Sequence, residues 1–226
     1  MMHSEHTILE FCKQEIDKQN ALSSPYLTEL VNEKMSKDQF TQSQIQFFFA
    51  VAFFSRPMSA LMARFSDPNL RLKILENILE EHGNFNSSAF HESTFKKFLK
   101  SLGVTSEHIS QITPGPEVRA FNAVLISTCT FDHTDIAVSC MGTIELMFAQ
   151  ISSIIGHTTV KNNWVSKERL IHYTLHEKID LEHANDFFQL AEHNWINTEN
   201  RSNIITGINL GIYIFKRLYD DLYICK

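Results

Sequence analysis

Apolar positions recur along the chain at helical rather than strand spacing, and recognisable start and stop signals punctuate them. Thr41-Gln42-Ser43-Gln44 has the form of a capping box. It opens an apolar run through Phe47, Phe48, Val51 and Phe54 that Pro57 is expected to kink. Asp67-Pro68 reads as a cap followed by proline in the first turn, and Gly83 closes that helix. A further helix starts near Ser88 and ends at Gly103. Pro114-Gly115-Pro116 is the clearest loop. After it comes a helix through Val118, Phe121 and Leu125 that breaks around Asp132-His133. Three more follow: Thr134 to about Ile155, a Ser166-capped helix reaching Trp195, and Asn203 to Tyr223. The pattern predicts an all-α bundle of about seven to eight helices with short connections. No strand pair, internal repeat or low-complexity linker appears, so residues 1–226 are expected to form a single domain.

Composition narrows the field. Seven Gly and five Pro in 226 residues are too few turn formers for many short strands, which argues against an all-β fold. Hydrophobic residues at 43% and charged residues at 20% suit a folded globular chain. A net charge of -6 leaves no basic stripe for a phosphate backbone, so no nucleic-acid partner is expected. Polar residues interrupt the apolar stretches before bilayer length, and Met1-Met2-His3-Ser4-Glu5-His6 has no basic region leading into an apolar one. The expectation is therefore a cytoplasmic protein with no membrane partner. Cys12, Cys129, Cys140 and Cys225 are scattered and read as reduced thiols filling core space. Eleven histidines are more informative, because most lie outside any tag-like run.

Several ionisable residues fall on apolar faces. In the helix from Pro68 to His82 the stripe is Ile74, Leu75, Ile78 and Leu79, and Glu81 continues it. In the next helix His91 lies one turn before Phe95 on the face of Phe95, Phe98, Leu99 and Leu102. Glu145 adjoins the stripe of Met141, Ile144, Phe148, Ile151 and Ile155. The densest case is His176-x-x-x-Asp180-x-x-His183, whose side chains share one side of the helix beside Ile179, Ala184 and Phe187. Each residue alone is open to a plain structural reading, as a satisfied core histidine or a glutamate paired with Lys or Arg. Six on four inward faces is different. Burying several carboxylates together costs several kcal/mol each unless something positive compensates. Three carboxylates and three imidazoles without a thiolate match the ligand set favoured by iron or manganese. Two divalent ions would bring +4 against -3, so a dinuclear site is electrostatically plausible.

At these residues the chain resembles the iron-containing redox enzymes of the haem-oxygenase-like di-iron oxidase superfamily, which also holds pyrroloquinoline-quinone synthesis C, thiaminase-like proteins and the chlamydial death-domain-associating protein. Three blocks carry the likeness: Leu75 to Gly83 with His91 to Gly103, Ile144-Glu145 within a long helix, and His176-x-x-x-Asp180-x-x-His183. The resemblance implies a seven-helix haem-oxygenase-like bundle, often a homodimer. It implies iron ligands Glu81, His91, Glu145, His176, Asp180 and His183, two iron ions with manganese not excluded, and dioxygen as co-substrate. The implied activity is a non-haem di-iron oxidase that oxidises or cleaves a small amino-acid-, fatty-acid- or cofactor-precursor-like molecule.

There are departures and rivals. The p-aminobenzoate-forming branch consumes one of its own tyrosines and uses a Lys about ten positions beyond the third ligand. Here that position is Ile155, with Lys161 the nearest Lys downstream, and Phe47-Phe48-Phe49 stands where relatives often show Tyr. Tyr26 is the one tyrosine before Tyr173. The thiaminase-like branch needs a nucleophilic Cys, for which Cys129 or Cys140 would have to serve without a nearby His or Lys in sequence. A haem-binding or haem-degrading protein would need an axial histidine such as His6. A non-enzymatic interaction protein on the same fold is the remaining alternative. His172, one turn before His176, reads either as a hydrogen-bonding support for the ligands or as a partly exposed histidine. Phe47, Phe48, Phe53 and Phe54 can wall an apolar substrate pocket or simply fill the core.

Overall fold

The computed structural model describes residues 6–196 and 201–224; residues 1–5 and Cys225 lie outside them. The described residues form α1 (Ile8–Lys18), α2 (Pro25–Val31), α3 (Lys37–Val51), α4 (Ser55–Met62), α5 (Pro68–Glu81), α6 (His91–Ser101), α7 (Ser106–Gln111), α8 (Pro116–Phe131), α9 (Thr134–Lys161), α10 (Ile171–Ile196) and α11 (Arg201–Ile224). No strand occurs among the described residues. The helices expected from periodicity are α3, α5, α6, α8, α9, α10 and α11. The shorter α1, α2, α4 and α7 join them.

Several boundaries differ, each for a local reason. α3 starts one turn before Thr41, because Ser36 caps it: the Ser36 hydroxyl accepts the Gln39 N–H at 3.1 Å, and the Gln39 side chain accepts the Ser36 N–H at 2.9 Å. The Thr41 hydroxyl instead donates to the Lys37 carbonyl. The chain breaks between α3 and α4 just upstream of Pro57, which has no N–H to offer the Phe53 carbonyl. α6 begins at His91, after a 3-10 turn at Ser87–Ala89, and Ser166 precedes a 3-10 turn rather than α10 itself. On α5 the inward face is Ile74, Asn77 and Glu81, whereas Leu75 is exposed.

The core is organised around α9, which is buried along most of its length and packs chiefly against α10 and α11. Close approach depends on glycine. A Cβ on Gly142 would sit 2.9 Å from the Phe188 ring of α10, and one on Gly211 would sit 2.8 Å from the Cys140 carbonyl oxygen of α9. The expectation that no apolar stretch has bilayer length needs correction, since Lys37–Met62 and Thr134–Lys161 both reach it by length and composition. Several of the polar residues that interrupt α9 are small. The Thr143 and Thr159 hydroxyls donate to the carbonyls of Ser139 and Ile155 one turn back, which lets them be buried as core. α9 is thus the central helix of the bundle, and its length places Glu145 in the protein interior.

Candidate metal centre

Four helices meet partway along the α9–α10 contact. α5 ends with Glu80 and Glu81, and Gly83 then takes a φ of 55° so that the chain can reverse. A side chain there would strike the Ala89 backbone at 2.6 Å. The reversal brings His91, the first residue of α6, back onto Glu81, with His91 Nδ1 2.8 Å from Glu81 Oε1. α9 supplies Glu145, and α10 supplies His172, His176, Asp180 and His183 along one face. All six residues singled out from sequence are buried, none more than 8% exposed, and the structure brings them together.

Glu145, Asp180 and His183 each offer a donor atom within 4.8 Å of the others. His183 Nδ1 stands 3.9 Å from both Glu145 Oε1 and Asp180 Oδ1. His176 Nδ1 bonds Asp180 Oδ1 at 2.8 Å, and the His176 and His91 rings lie 4.4 Å apart by centroid. Two partners have no strong sequence signal. Glu80, half-exposed, accepts from His183 Nε2 at 2.7 Å. His172 is fully buried, so the partly exposed reading is incorrect. Its Nδ1 lies 3.0 Å from the Thr94 hydroxyl, which itself donates to the His91 carbonyl. A hydroxyl has one proton to give, so His172 Nδ1–H is the donor and Nε2 carries a bare lone pair.

The charges divide in two. Burial alone would raise Glu81, but the facing His91, with His176 and His183 nearby, holds its pKa below the ordinary value. Burial would lower His91, and the Glu81 carboxylate outweighs it and raises it, making an ion pair. Glu145 and Asp180 go the other way. Burial first, then for Glu145 the charges of Asp180 and Glu81, push them well above the usual carboxylate range; His183 only partly opposes this at Asp180. Burial and neighbouring imidazoles keep His172 and His176 well below theirs.

This arrangement fits a cation. Glu145 Oε1, Asp180 Oδ2, His176 Nε2 and His183 Nδ1 are buried and have no hydrogen-bond partner, each an unmet cost of about 1–3 kcal/mol. They are nitrogen and oxygen donors, and the pairing of His183 Nε2 with Glu80 leaves its other nitrogen free to coordinate. A small cavity of about 30 Å³ adjoins the cluster. Glu81, His91, Glu145, His172 and His176 line its polar side; Phe47, Val51, Phe54, Phe121, Phe148 and Phe215 line the other. Of the phenylalanines singled out from sequence, Phe47 and Phe54 wall this space. Phe48 is core, and Phe53 lies beneath the Arg56 guanidinium.

Residues needed by the rival chemistries are elsewhere. Ile155 is buried, Lys161 pairs with Glu33 at the surface, and Tyr26 is buried against Ser43 and Gln44. Burial pushes the Cys129 thiol up to about 12 and Cys140 well above its ordinary value, so neither supplies a thiolate. His6 is exposed at the start of α1, beside Glu10 and Gln14.

The chain is similar in sequence and in fold to known proteins. The chain is 26% identical over 165 residues to a 4-aminobenzoate synthase of Chlamydia trachomatis, covering 70% of each protein. It is 23% identical over 200 residues to that of Chlamydia pneumoniae, covering 88% of this chain and 87% of the relative. A Shewanella denitrificans domain of heme oxygenase-like fold superposes with a TM-score of 0.77 at 15% identity, over 97% of this chain and 93% of that one. Residues 42–214 match the family model described as iron-containing redox enzyme. With its all-helical fold, its buried carboxylate–histidine cluster and a family match spanning most of its length, the chain belongs to the iron-containing redox enzymes, oxidoreductases of haem oxygenase-like fold.

Proposed function

We propose that the protein is a non-haem di-iron oxidase that uses dioxygen to oxidise or cleave a small organic substrate, with Glu81, His91, Glu145, His176, Asp180 and His183 holding the metal. The observation that carries this reading is the set of four unpartnered, buried donor atoms on Glu145, His176, Asp180 and His183. Six such ligands suit two ions better than one, because three carboxylates leave a charge of -3 that a single divalent cation does not neutralise. When bound, the ions supply the electrons and coordination positions at which dioxygen is activated.

The chain's own residues do the rest. Glu80 fixes the His183 ring so that Nδ1 faces inward, and Thr94 fixes His172 so that Nε2 faces the cavity. The phenylalanine wall excludes water from the reacting space. At about 30 Å³ the cavity holds a molecule the size of water or dioxygen, so an organic substrate enters only as Phe side chains move aside. That wall favours a substrate with an apolar or aromatic body. The experiment is dioxygen uptake by anaerobically iron-loaded protein given a reductant. Uptake above that of the same iron free in buffer, lost in Glu145→Leu, is expected. Uptake no greater than the free-iron control would reject the reading and leave a non-enzymatic role ahead.

A further inference from the structure

The centre has two faces of opposite character. One is the cavity walled by Phe47, Phe54, Phe121, Phe148 and Phe215, where an ion shedding water meets mostly aromatic surface and finds ligand atoms only on the side lined by the centre's own carboxylates and imidazoles. The other is a surface cleft of about 240 Å³ bounded by Glu80, Gly83, Asn84 and Ala89 on one side and Leu175 and Ile179 of α10 on the other. His91 lies at its floor. Glu80 is the one carboxylate of the cluster that reaches solvent: its side chain is 42% exposed, against 8% or less for each of the six inner residues. It also touches the interior directly, through the 2.7 Å bond to His183 Nε2. Behind His183 lie the unpartnered Glu145 Oε1 and the Asp180 carboxylate, whose Oδ1 is bonded to His176 and whose Oδ2 has no partner.

We infer that Glu80 is the port through which the centre takes up its divalent cations from solvent. The inference rests on the metal centre proposed above. A hard, hydrated cation exchanges its first waters for carboxylate oxygen, and Glu80 offers such an oxygen at the surface. From there His183 and the unmatched Asp180 and Glu145 donors are the next atoms inward. Cations and apolar molecules thus reach the centre by separate routes, so uptake of metal does not require the phenylalanine wall to open.

The port role is separable from the positioning role. In Glu80→Gln the amide oxygen still accepts from His183 Nε2, so the ring stays aligned while the charge is gone; Glu80→Asp keeps the charge. A port changes the rates of uptake and release together and leaves the equilibrium constant alone. A residue that merely holds His183 changes release and affinity. Stopped-flow uptake of Co²⁺ by metal-free protein, followed by its d–d absorption, with release measured into excess chelator, separates them. Glu80→Gln is expected to slow uptake and release alike, on the order of tenfold, with unchanged final stoichiometry, and Glu80→Asp is expected to restore both rates substantially. Uptake by Glu80→Gln as fast as wild type, or faster release with uptake unchanged, would overturn the port. Failure of the wild type itself to bind Co²⁺ would remove the centre, and the port with it.

Discussion

Replacing Glu145 by leucine is expected to stabilise the metal-free protein while abolishing its response to iron. Glu145 is 2% exposed, its Oε1 atom has no hydrogen-bond partner, and Ile144 and Phe148 stand with it along the cavity. An unsatisfied buried polar group costs about 1–3 kcal/mol, and leucine, similar in size, suits an apolar wall. In a chain of this length about 1 kcal/mol corresponds to roughly 2–4 °C in melting temperature, so the metal-free variant should melt roughly 2–12 °C above wild type. The gain depends on pH. Burial and the Asp180 charge raise the Glu145 pKa well above its ordinary value, so the fold retains a proton that the unfolded chain releases near its usual value of about 4.3. Between those two values the unfolded state binds fewer protons, and wild-type stability falls as pH rises. Leucine has no such dependence, so its advantage should be smallest in acid and grow toward neutral pH. Ferrous ion at a hundredfold excess over its dissociation constant would return about 2.7 kcal/mol to wild type and nothing comparable to the variant. Calorimetric melting at two pH values, with and without anaerobic iron, tests this. A metal-free Glu145→Leu protein that melts below wild type, or one that gains as much from iron, would contradict the roles given to Glu145.

Thr94→Val leaves the buried His172 Nδ1–H without its acceptor and should cost about 1–3 kcal/mol, read as a lowered melting temperature; no change would mean that Thr94 does not clamp the ring. Gly211→Ala forces a Cβ against the Cys140 carbonyl of α9, an overpacking expected to cost about 1–3 kcal/mol in thermal or urea unfolding, and a neutral result would contradict the close α9–α11 approach. At pH 8 iodoacetamide should leave Cys12, Cys129 and Cys140 unlabelled in the folded protein, because burial raises all three thiols. Peptide mass spectrometry showing rapid native-state labelling of Cys129 would reopen a thiolate route.

The inward residues were legible because an ionisable group on an apolar helical stripe is a local, periodic signal, and Glu81, His91, Glu145, His176, Asp180 and His183 all carry it. Glu80 carries none. Its role comes from α5 and α10 meeting in space, and in sequence it resembles any surface glutamate beside a helix end. His172 is buried because Thr94, more than seventy positions away, gives its Nδ1 a partner; the only local hint is its spacing of four from His176. Leu75 shows the reverse failure. Periodicity placed it inward, but α5 turns that face to solvent and buries Asn77, whose amide donates to the Lys73 carbonyl. The missing first helix was recoverable: Thr7 and Glu10 form a capping box, with bonds of 2.8 and 3.2 Å, that matches the sequence rule. The expectation at Thr41 was the same rule applied one turn late, since Ser36 and Gln39 satisfy it first.

In the proposed centre, side chains from α5, α6, α9 and α10 together enclose a pair of cations. Anaerobic ferrous titration with Mössbauer spectroscopy and metal counting tests it most directly. Two irons per chain in the native protein, falling to one or none in His176→Ala and in Asp180→Ala, is the predicted result, and iron content unchanged in both variants would contradict it.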